Sequence, residues 1–274
     1  MIRENAKIDE EYVKNYCEKY DIEIFIKHAE VEKIASDNKQ GLEETGRKIR
    51  YDFFEEVLEK TGSNKIAIAH NSNDNAETVI MNLLRGSGVS GLRGIEPNRD
   101  NKYIRPLIKC AREEIEEYCK LNNLEPRIDE TNFENEYTRN KIRNICIPYI
   151  KKEFNPNIIN TLNRLSDTVR EEDEYIQNMI KEAFENLLEA KDDNQIVLNL
   201  KKYLALEKVI KKRIIIYAIN MLLGSSKDLQ KINIEDIVEM CEKNVGNKYL
   251  MPNKNVKVMV KNKKIFFIKN MLEI

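Results

Sequence analysis

The chain has 274 residues with a formal net charge of −1, 41% apolar and 34% charged residues, which suits one large domain or two modest ones. A near-neutral total excludes a global pull on polyanions and leaves only local patches to supply one; apolar runs such as Ile214-Ile215-Ile216 fall far short of a membrane span. Five scattered cysteines without a C-x-x-C pair argue against structural zinc and disulfides, two histidines exclude a His-rich metal site, and Met1-Ile2-Arg3-Glu4-Asn5 is no secretory signal, so a reducing, cytoplasmic setting is expected.

Residues 8 to 20 read as an amphipathic helix with Ile8, Tyr12, Val13, Tyr16 and Cys17 on one face. Ile22-Glu23-Ile24-Phe25-Ile26 alternates like a strand. A helix is expected over Leu42 to Glu59, with Arg47, Arg50 and Tyr51 on its polar side and Gly62 as its stop. Lys65 to Ala69 forms a short apolar run bounded by turn residues, hence a buried strand, and Ala76, Val79, Ile80, Leu83 and Leu84 then recur at helical spacing. The order helix, strand, helix, strand, helix predicts an α/β fold around a mostly parallel sheet.

The strand-to-helix turn carries the most chemistry. His70 lies just past the carboxyl end of the strand, the edge at which open α/β sheets bind ligands. Asp74 and Glu77 share one face near the helix start. Acids there suit the helix dipole, and two carboxylates beside an imidazole also suit a metal–phosphate site. The plainer alternative is that the acids cap the helix and His70 is a structural group.

Downstream, Arg85-Gly86-Ser87-Gly88 closes the helix, and Gly91 and Gly94 keep the next segment loop-like. Tyr103 to Leu107 is a short strand broken by Pro106, and Ala111 to Asn122 is a helix with Ile115, Tyr118, Cys119 and Leu124 inward. Tyr137 to Lys152 contains no acid; Arg139 and Arg143, four apart, share a helix face and suit a phosphate clamp, although a solvated basic face is the commoner outcome. Phe154-Asn155-Pro156-Asn157 marks a boundary. Beyond it come a long helix from about Ile158 to Ala190, a strand over Gln195 to Leu200, helices over Leu206 to Leu223 and Ile232 to Cys241, and a small β-meander. The meander's lysines suit either a polyanion or a protected sheet edge.

Ala69-His70-Asn71, Asp74-Asn75-Ala76-Glu77-Thr78 and Leu84-Arg85-Gly86-Ser87-Gly88 resemble the signature of the tRNA(Ile)-lysidine synthetase family. Glu44 with Arg47, Arg50 and Tyr51, Ile104 to Leu107, Arg112 to Ile115, Asp129 with Thr131-Asn132, and Tyr137 through Arg143 with Pro148 follow the same order. Even Ile2-Arg3-Glu4 resembles the segment that follows that family's first two strands.

The resemblance implies a Rossmann-like PP-loop ATPase sheet over residues 1–153 and a mainly helical α+β substrate- and tRNA-binding domain with a terminal β-meander over 154–274. It also implies a ligase that uses ATP and Mg²⁺ to join L-lysine to C2 of cytidine 34 in a tRNA(Ile) with a CAU anticodon, through an adenylated intermediate. It admits a homodimer and implies no membrane partner. By the same resemblance His70, Asp74 and Glu77 are catalytic, with Asp74 and Glu77 as Mg²⁺ or lysine-amine ligands. Arg85, Gly86, Ser87, Gly88, Arg105, Arg112, Arg139 and Arg143 face ATP or tRNA. Asn71, Asn73 and Asn75 stand where many members carry His, Asp and Gln.

The family's S-G-G-x-D-S phosphate loop does not occur in these 274 residues. It is expected in front of Ile2 by about 30 residues or more, most of one βαβ unit. The sequence is therefore expected to be a fragment lacking the first strand and phosphate loop, inactive alone. The alternatives are a non-catalytic tRNA-binding remnant and a PP-loop tRNA thiolase; the latter lacks the C-x-x-C pairs it would need.

Overall fold

The computed structural model describes residues 4–127, 135, 137–224, 229–243 and 249–270, and the chain divides into two compact units, Met1–Arg170 and Glu171–Ile274. Asp129, Thr131 and Asn132, named above for their resemblance, lie outside the described residues, as do Ile2 and Arg3.

The first unit opens with helices α1 (Glu4–Lys19), α2 (Val31–Asp37) and α3 (Leu42–Thr61). Gly62 ends α3 as expected: at φ 65° it adopts the left-handed conformation, and the N–H groups of Gly62 and Ser63 return to Glu59 and Leu58. Strand β1 (Ile66–Ala67) leads into α4 (Ser72–Leu84), a 3₁₀ turn at Val89–Arg93, and strands β2 (Asn98–Arg99) and β3 (Tyr103–Ile104). The sheet order is β1-β3-β2, with β1 parallel to β3 and β2 antiparallel to it. The sheet is thus mixed rather than mostly parallel. β3 stops short of Leu107 because Pro106 has no N–H to donate and the chain turns, with Ile108 N–H on Arg105 O.

Helix α5 (Arg112–Leu121) follows, then α6 (Thr138–Lys141), which continues through a π-helical turn (Ile142–Cys146) into α7 (Ile147–Glu153) and, after a break, α8 (Ile158–Leu187). A small core of Ala76, Ile80, Ile142, Ile147 and Ile159 ties α4 to the π turn, α7 and the start of α8. Three expectations are corrected here. Ile22 to Ile26 forms no strand: its isoleucines are exposed, and no ladder partner exists for it among the described residues. Tyr118, expected inward, points outward at 63% exposure, and the expected buried strand over Lys65 to Ala69 is only the two residues of β1, Ile66 half-buried and Ala67 exposed. Apolar spacing sets a face, but burial requires something to pack on that face.

In the second unit, β4 (Leu188–Lys191), β5 (Gln195–Asn199), β6 (Tyr249–Asn253), β7 (Val256–Lys261) and β8 (Lys264–Lys269) make one antiparallel sheet in the order β4-β5-β8-β7-β6. Helices α9 (Leu200–Leu204), α10 (Lys208–Leu223) and α11 (Lys231–Lys243) supply the other layer. The expected meander is therefore the larger part of a five-stranded sheet that also takes in the 195–200 strand. α8 ends at Leu187 instead of Ala190, because Leu188 to Lys191 pair with β5; the ladder overrides helix propensity. Val256, Val258 and Val260 alternate inward with Ile265 and Phe267 against Ile215, Ile219 and Ile237. Phe267→Ala, at a side chain with no exposure, is expected to lower unfolding free energy by about 3–5 kcal/mol in urea titrations; a loss below about 1 kcal/mol would mean that this core collapses around the vacancy.

Candidate active site

The carboxyl end of β1 turns directly into α4. Asn71 caps the helix: its Oδ1 accepts the N–H groups of Asn73 and Asp74, both at 3.0 Å, and Asp74 Oδ2 accepts the N–H of Asn71 at 3.0 Å. The capping role weighed for Asp74 is real, but it uses only one carboxylate oxygen.

The other oxygen meets the arginines. Arg139 donates Nη2–H to Asp74 Oδ1 at 3.1 Å and Nε–H to Glu77 Oε2 at 2.9 Å. Arg143 donates to Asp74 Oδ1 at 3.0 Å and grips both Glu77 oxygens, through Nε at 2.6 Å and Nη2 at 2.9 Å. Glu77 is 2% exposed, so its charge is held by guanidinium forks in place of water. The same bond raises the pKa of Arg143 above its ordinary value, against the opposing effect of burial. Four residues apart, Arg139 on α6 and Arg143 in the π turn that continues it lie on one side of the helix and so reach the same carboxylate.

His70 sits on the same edge, half-buried. Its Nδ1 accepts from Arg105 Nε at 3.1 Å, and Arg105 in turn donates Nη1–H to the carbonyl of Glu96. A ring nitrogen that accepts carries no proton, so the neutral imidazole presents its N–H at Nε2. Burial pushes the His70 pKa below its ordinary value, opposed by Asp74 and assisted by Arg105, Arg139 and Arg47.

Asn75 holds the wall opposite. Its amide donates to Asn163 Oδ1 at 2.8 Å and its Oδ1 accepts Ile95 N–H at 2.6 Å, while Ser166 and Arg170 secure Arg93 O at 2.7 and 2.8 Å. Gly94, at φ 65°, is required there, since a Cβ would collide with Asn75 Oδ1.

These elements enclose a cavity of about 950 Å³ whose lining includes six arginines, Arg47, Arg50, Arg85, Arg99, Arg105 and Arg139, against two acids, Glu43 and Glu96. His70, Thr78 and Thr138 also face it. Of the expected residues, His70, Arg85, Arg105 and Arg139 are therefore brought together, with Asp74 bound to Arg139. Arg143 and Glu77 border a separate 230 Å³ cavity with Arg112, whose Nε pairs with Glu116 at 2.8 Å. Gly86, Ser87 and Gly88 are exposed and are absent from the cavity lining; Gly86 at φ 72° forms the helix-ending turn. Arg47, Arg50 and Arg99 were not among the expected ATP- or tRNA-binding residues. The first two were visible as the basic side of α3; nothing local marks Arg99.

A family model described as a PP-loop domain matches residues 1–150. The chain belongs to the PP-loop family. The tRNA(Ile)-lysidine synthase of Clostridium acetobutylicum is 45% identical over 251 residues, which cover 91% of this chain and 54% of that protein. The enzyme of the same name from Clostridioides difficile is 41% identical over 92% of this chain and 54% of that protein. The bifunctional protein TilS/HprT of Listeria monocytogenes is 32% identical over 93% and 40%, respectively. The chain thus spans about half the length of the first two relatives. The structure of the U34-tRNA thiolase NcsA from Methanococcus maripaludis, with a TM-score of 0.50 and 20% identity over 62% of this chain and 59% of that one, shares the fold. No helix among the described residues is long and apolar enough to cross a membrane.

Two outcomes follow from this geometry. His70 is expected to titrate below the ordinary imidazole value of about 6.5 in ring-proton NMR. The unfolded chain takes up that proton first, so the contribution to stability is complete above about pH 6.5 and falls as pH drops through it; a midpoint above 6.5 would contradict the buried, Arg105-bonded ring. Glu77→Ala leaves two guanidinium groups with only one oxygen of Asp74 to share and is expected to cost about 3 kcal/mol in denaturant unfolding. A cost under about 1 kcal/mol would place the cluster with ordinary surface ion pairs.

Proposed function

We propose that the chain carries part of the active site of a tRNA(Ile)-lysidine synthase, and that the Arg-lined cavity receives ATP together with the cytidine to be modified. The supporting observation is the convergence of Arg85, Arg105, Arg139 and the Nε2–H of a neutral His70 on one cavity at the carboxyl edge of the sheet. Such a donor set suits a triphosphate, because guanidinium groups and an uncharged N–H match phosphate oxygens without a proton to lose. Relatives matching over nine-tenths of this chain, which carry that enzyme's name, support the same reading.

In this reading the cytidine C2 oxygen attacks the α-phosphorus of ATP, forming a C2–O–AMP ester and releasing pyrophosphate. The amine of L-lysine then attacks C2, forming a C–N bond as AMP departs and the amine proton passes to a nearby base. Arg105 and Arg139 offset the charge on pyrophosphate, and His70 donates Nε2–H to a phosphoryl oxygen. Asp74, the more exposed of the two acids, receives the lysine ammonium by exchanging one arginine contact for it; Arg143 and Glu77 hold it in place. Mg²⁺ does not fit the Asp74–Glu77 pair as it stands, since guanidinium N–H groups already occupy the free Asp74 oxygen and both oxygens of Glu77, and an added dication would meet two cations. No step is therefore assigned to a metal at these acids. The Gly86–Gly88 turn acts by directing Arg85 to the cavity.

The test is a chimera in which this chain replaces the matching 251 residues of the Clostridium acetobutylicum enzyme. Lysine-dependent AMP release with tRNA(Ile) and ATP is expected, and Arg143→Ala in the chimera should reduce it at least ten-fold, about 1.4 kcal/mol of transition-state stabilisation. AMP release that does not require lysine, or tRNA binding without turnover, would overturn the ligase reading and favour a tRNA-binding remnant.

A further inference from the structure

The basic face of α3 is not used up by the large cavity. Arg47 lies over Tyr51, with its guanidinium carbon 4.7 Å from the ring centroid and Nη2–H on the Tyr51 hydroxyl at 3.2 Å. Arg99 packs on the same pair of rings, 5.0 Å from the centroid of Tyr51 and 4.3 Å from that of Tyr103. The two tyrosines are 5.1 Å apart, and Tyr103 is buried and anchored by its hydroxyl on Glu55, which also holds Lys102 at 2.5 Å. The outcome is a rigid aromatic base carrying an exposed, planar cation.

This cluster borders a second cavity of about 320 Å³, lined by Arg47, Lys48, Tyr51 and Arg99 together with Gln40 and Glu44. Arg47 and Arg99 line both this cavity and the large one, so the two are adjoining compartments of one groove. A polynucleotide that places one nucleotide in the large cavity must carry its next nucleotide out along some wall. The wall at Arg47 offers cations for the phosphate, from Lys48, Arg50 and Arg99, and a guanidinium plane for a base. Arginine planes backed by an aromatic ring are stacking surfaces for unpaired bases, and stacking tolerates any base identity.

We propose that Arg47, supported by Tyr51 and Arg99, is a stacking platform for the unpaired nucleotide that neighbours the one being modified. The occupant is single-stranded RNA, a loop rather than a duplex, because a base must be splayed to reach a guanidinium face. Charge alone would favour any polyanion; the exposed guanidinium of Arg47, backed by the Tyr51 ring, selects one with exposed bases. This inference rests on the tRNA-modifying reading and adds to it a residue that holds the neighbouring base.

The experiment uses the full chain and an RNA hairpin with the CAU anticodon loop, carrying 2-aminopurine immediately 3′ of the reacting cytidine. Stacking quenches this fluorophore. The wild-type chain is expected to bind with quenching and with affinity that falls as salt rises. Arg47→Lys keeps the charge and removes the plane: it should bind about ten-fold more weakly, lose the quench and keep the salt slope. Arg47→Ala should also lower that slope by about one. Tyr51→Leu, which removes the ring beneath, should reproduce the Arg47→Lys result. If the wild-type chain binds the hairpin but Arg47→Lys matches it in affinity and quench, the platform is overturned and the tRNA reading stands. Equal competition by duplex RNA of the same length would likewise overturn it. If the wild-type chain binds no hairpin, both fall.

Discussion

The buried carboxylate of Glu77 is the constraint on which the site depends. A carboxylate at 2% exposure persists as an anion only if hydrogen-bonding cations replace its water. Here two guanidinium groups do so, and with Asp74 the cluster contains two negative and two positive charges. That neutrality lets it sit beside the Ala76–Ile80–Ile142 core without an uncompensated charge. The partners come from segments more than sixty residues apart, so the cluster joins α4 to the α6–π–α7 segment as a polar counterpart to the small hydrophobic core. It also aims Arg139: with Nε and Nη2 committed to the acids, its remaining edge forms part of the cavity wall. A π turn carries an intrinsic cost and persists where function or packing selects it. Here it carries Arg143, whose guanidinium grips Glu77, next to Ile142, which is buried in the small core.

This arrangement explains why some of the site was legible from sequence and some was not. The strand-to-helix turn, the capping use of Asp74, the α4 helix and the Gly62 stop are local signals, and local physics places them, whereas the extent and burial of the strand before the turn are not local. The pairing of the Asp74–Glu77 face with the Arg139–Arg143 face is not local. Sequence showed two acids on one face and two arginines on another; only the fold shows that they meet. Arg99 lies on a two-residue strand with no periodicity to read, and becomes part of the site because β2 pairs with β3 beside Tyr103. The misread strand at Ile22 to Ile26 and the shortened end of α8 share one cause. Strands require partners, and neither the lack of one nor the gain of one is written in the segment itself.

The polar network around Asn75 shows how the opposite wall is kept rigid. Asn75 is 3% exposed, so its amide must be satisfied internally, and it spends both ends on α8 and on the Ile95 N–H. Gly94 is the backbone consequence: the loop approaches the amide so closely that no side chain fits. Ile95 and Glu96 follow immediately, and the Glu96 carbonyl is what Arg105 grips while it bonds His70. The tautomer of His70 is therefore linked through Arg105 and Glu96 to a loop that Asn75 holds in place. Asn75 orients the imidazole N–H through a chain of contacts that it does not complete itself.

Electrostatics narrows what such a cavity suits. With a formal charge of −1 the protein has no net field to steer a polyanion from afar. Beyond a Debye length of about 8 Å at physiological salt, the exposed arginines are screened and offset by the many acids elsewhere. Inside the cavity, six arginines face two acids within a partly enclosed wall, where screening is weaker. Attraction is thus short-ranged and concentrated, which favours a ligand whose charge is itself concentrated, such as a triphosphate, over an extended duplex. An RNA that enters must be held by contacts along its path, and the ring-backed Arg47 at the adjoining compartment meets that need with contact area instead of long-range charge.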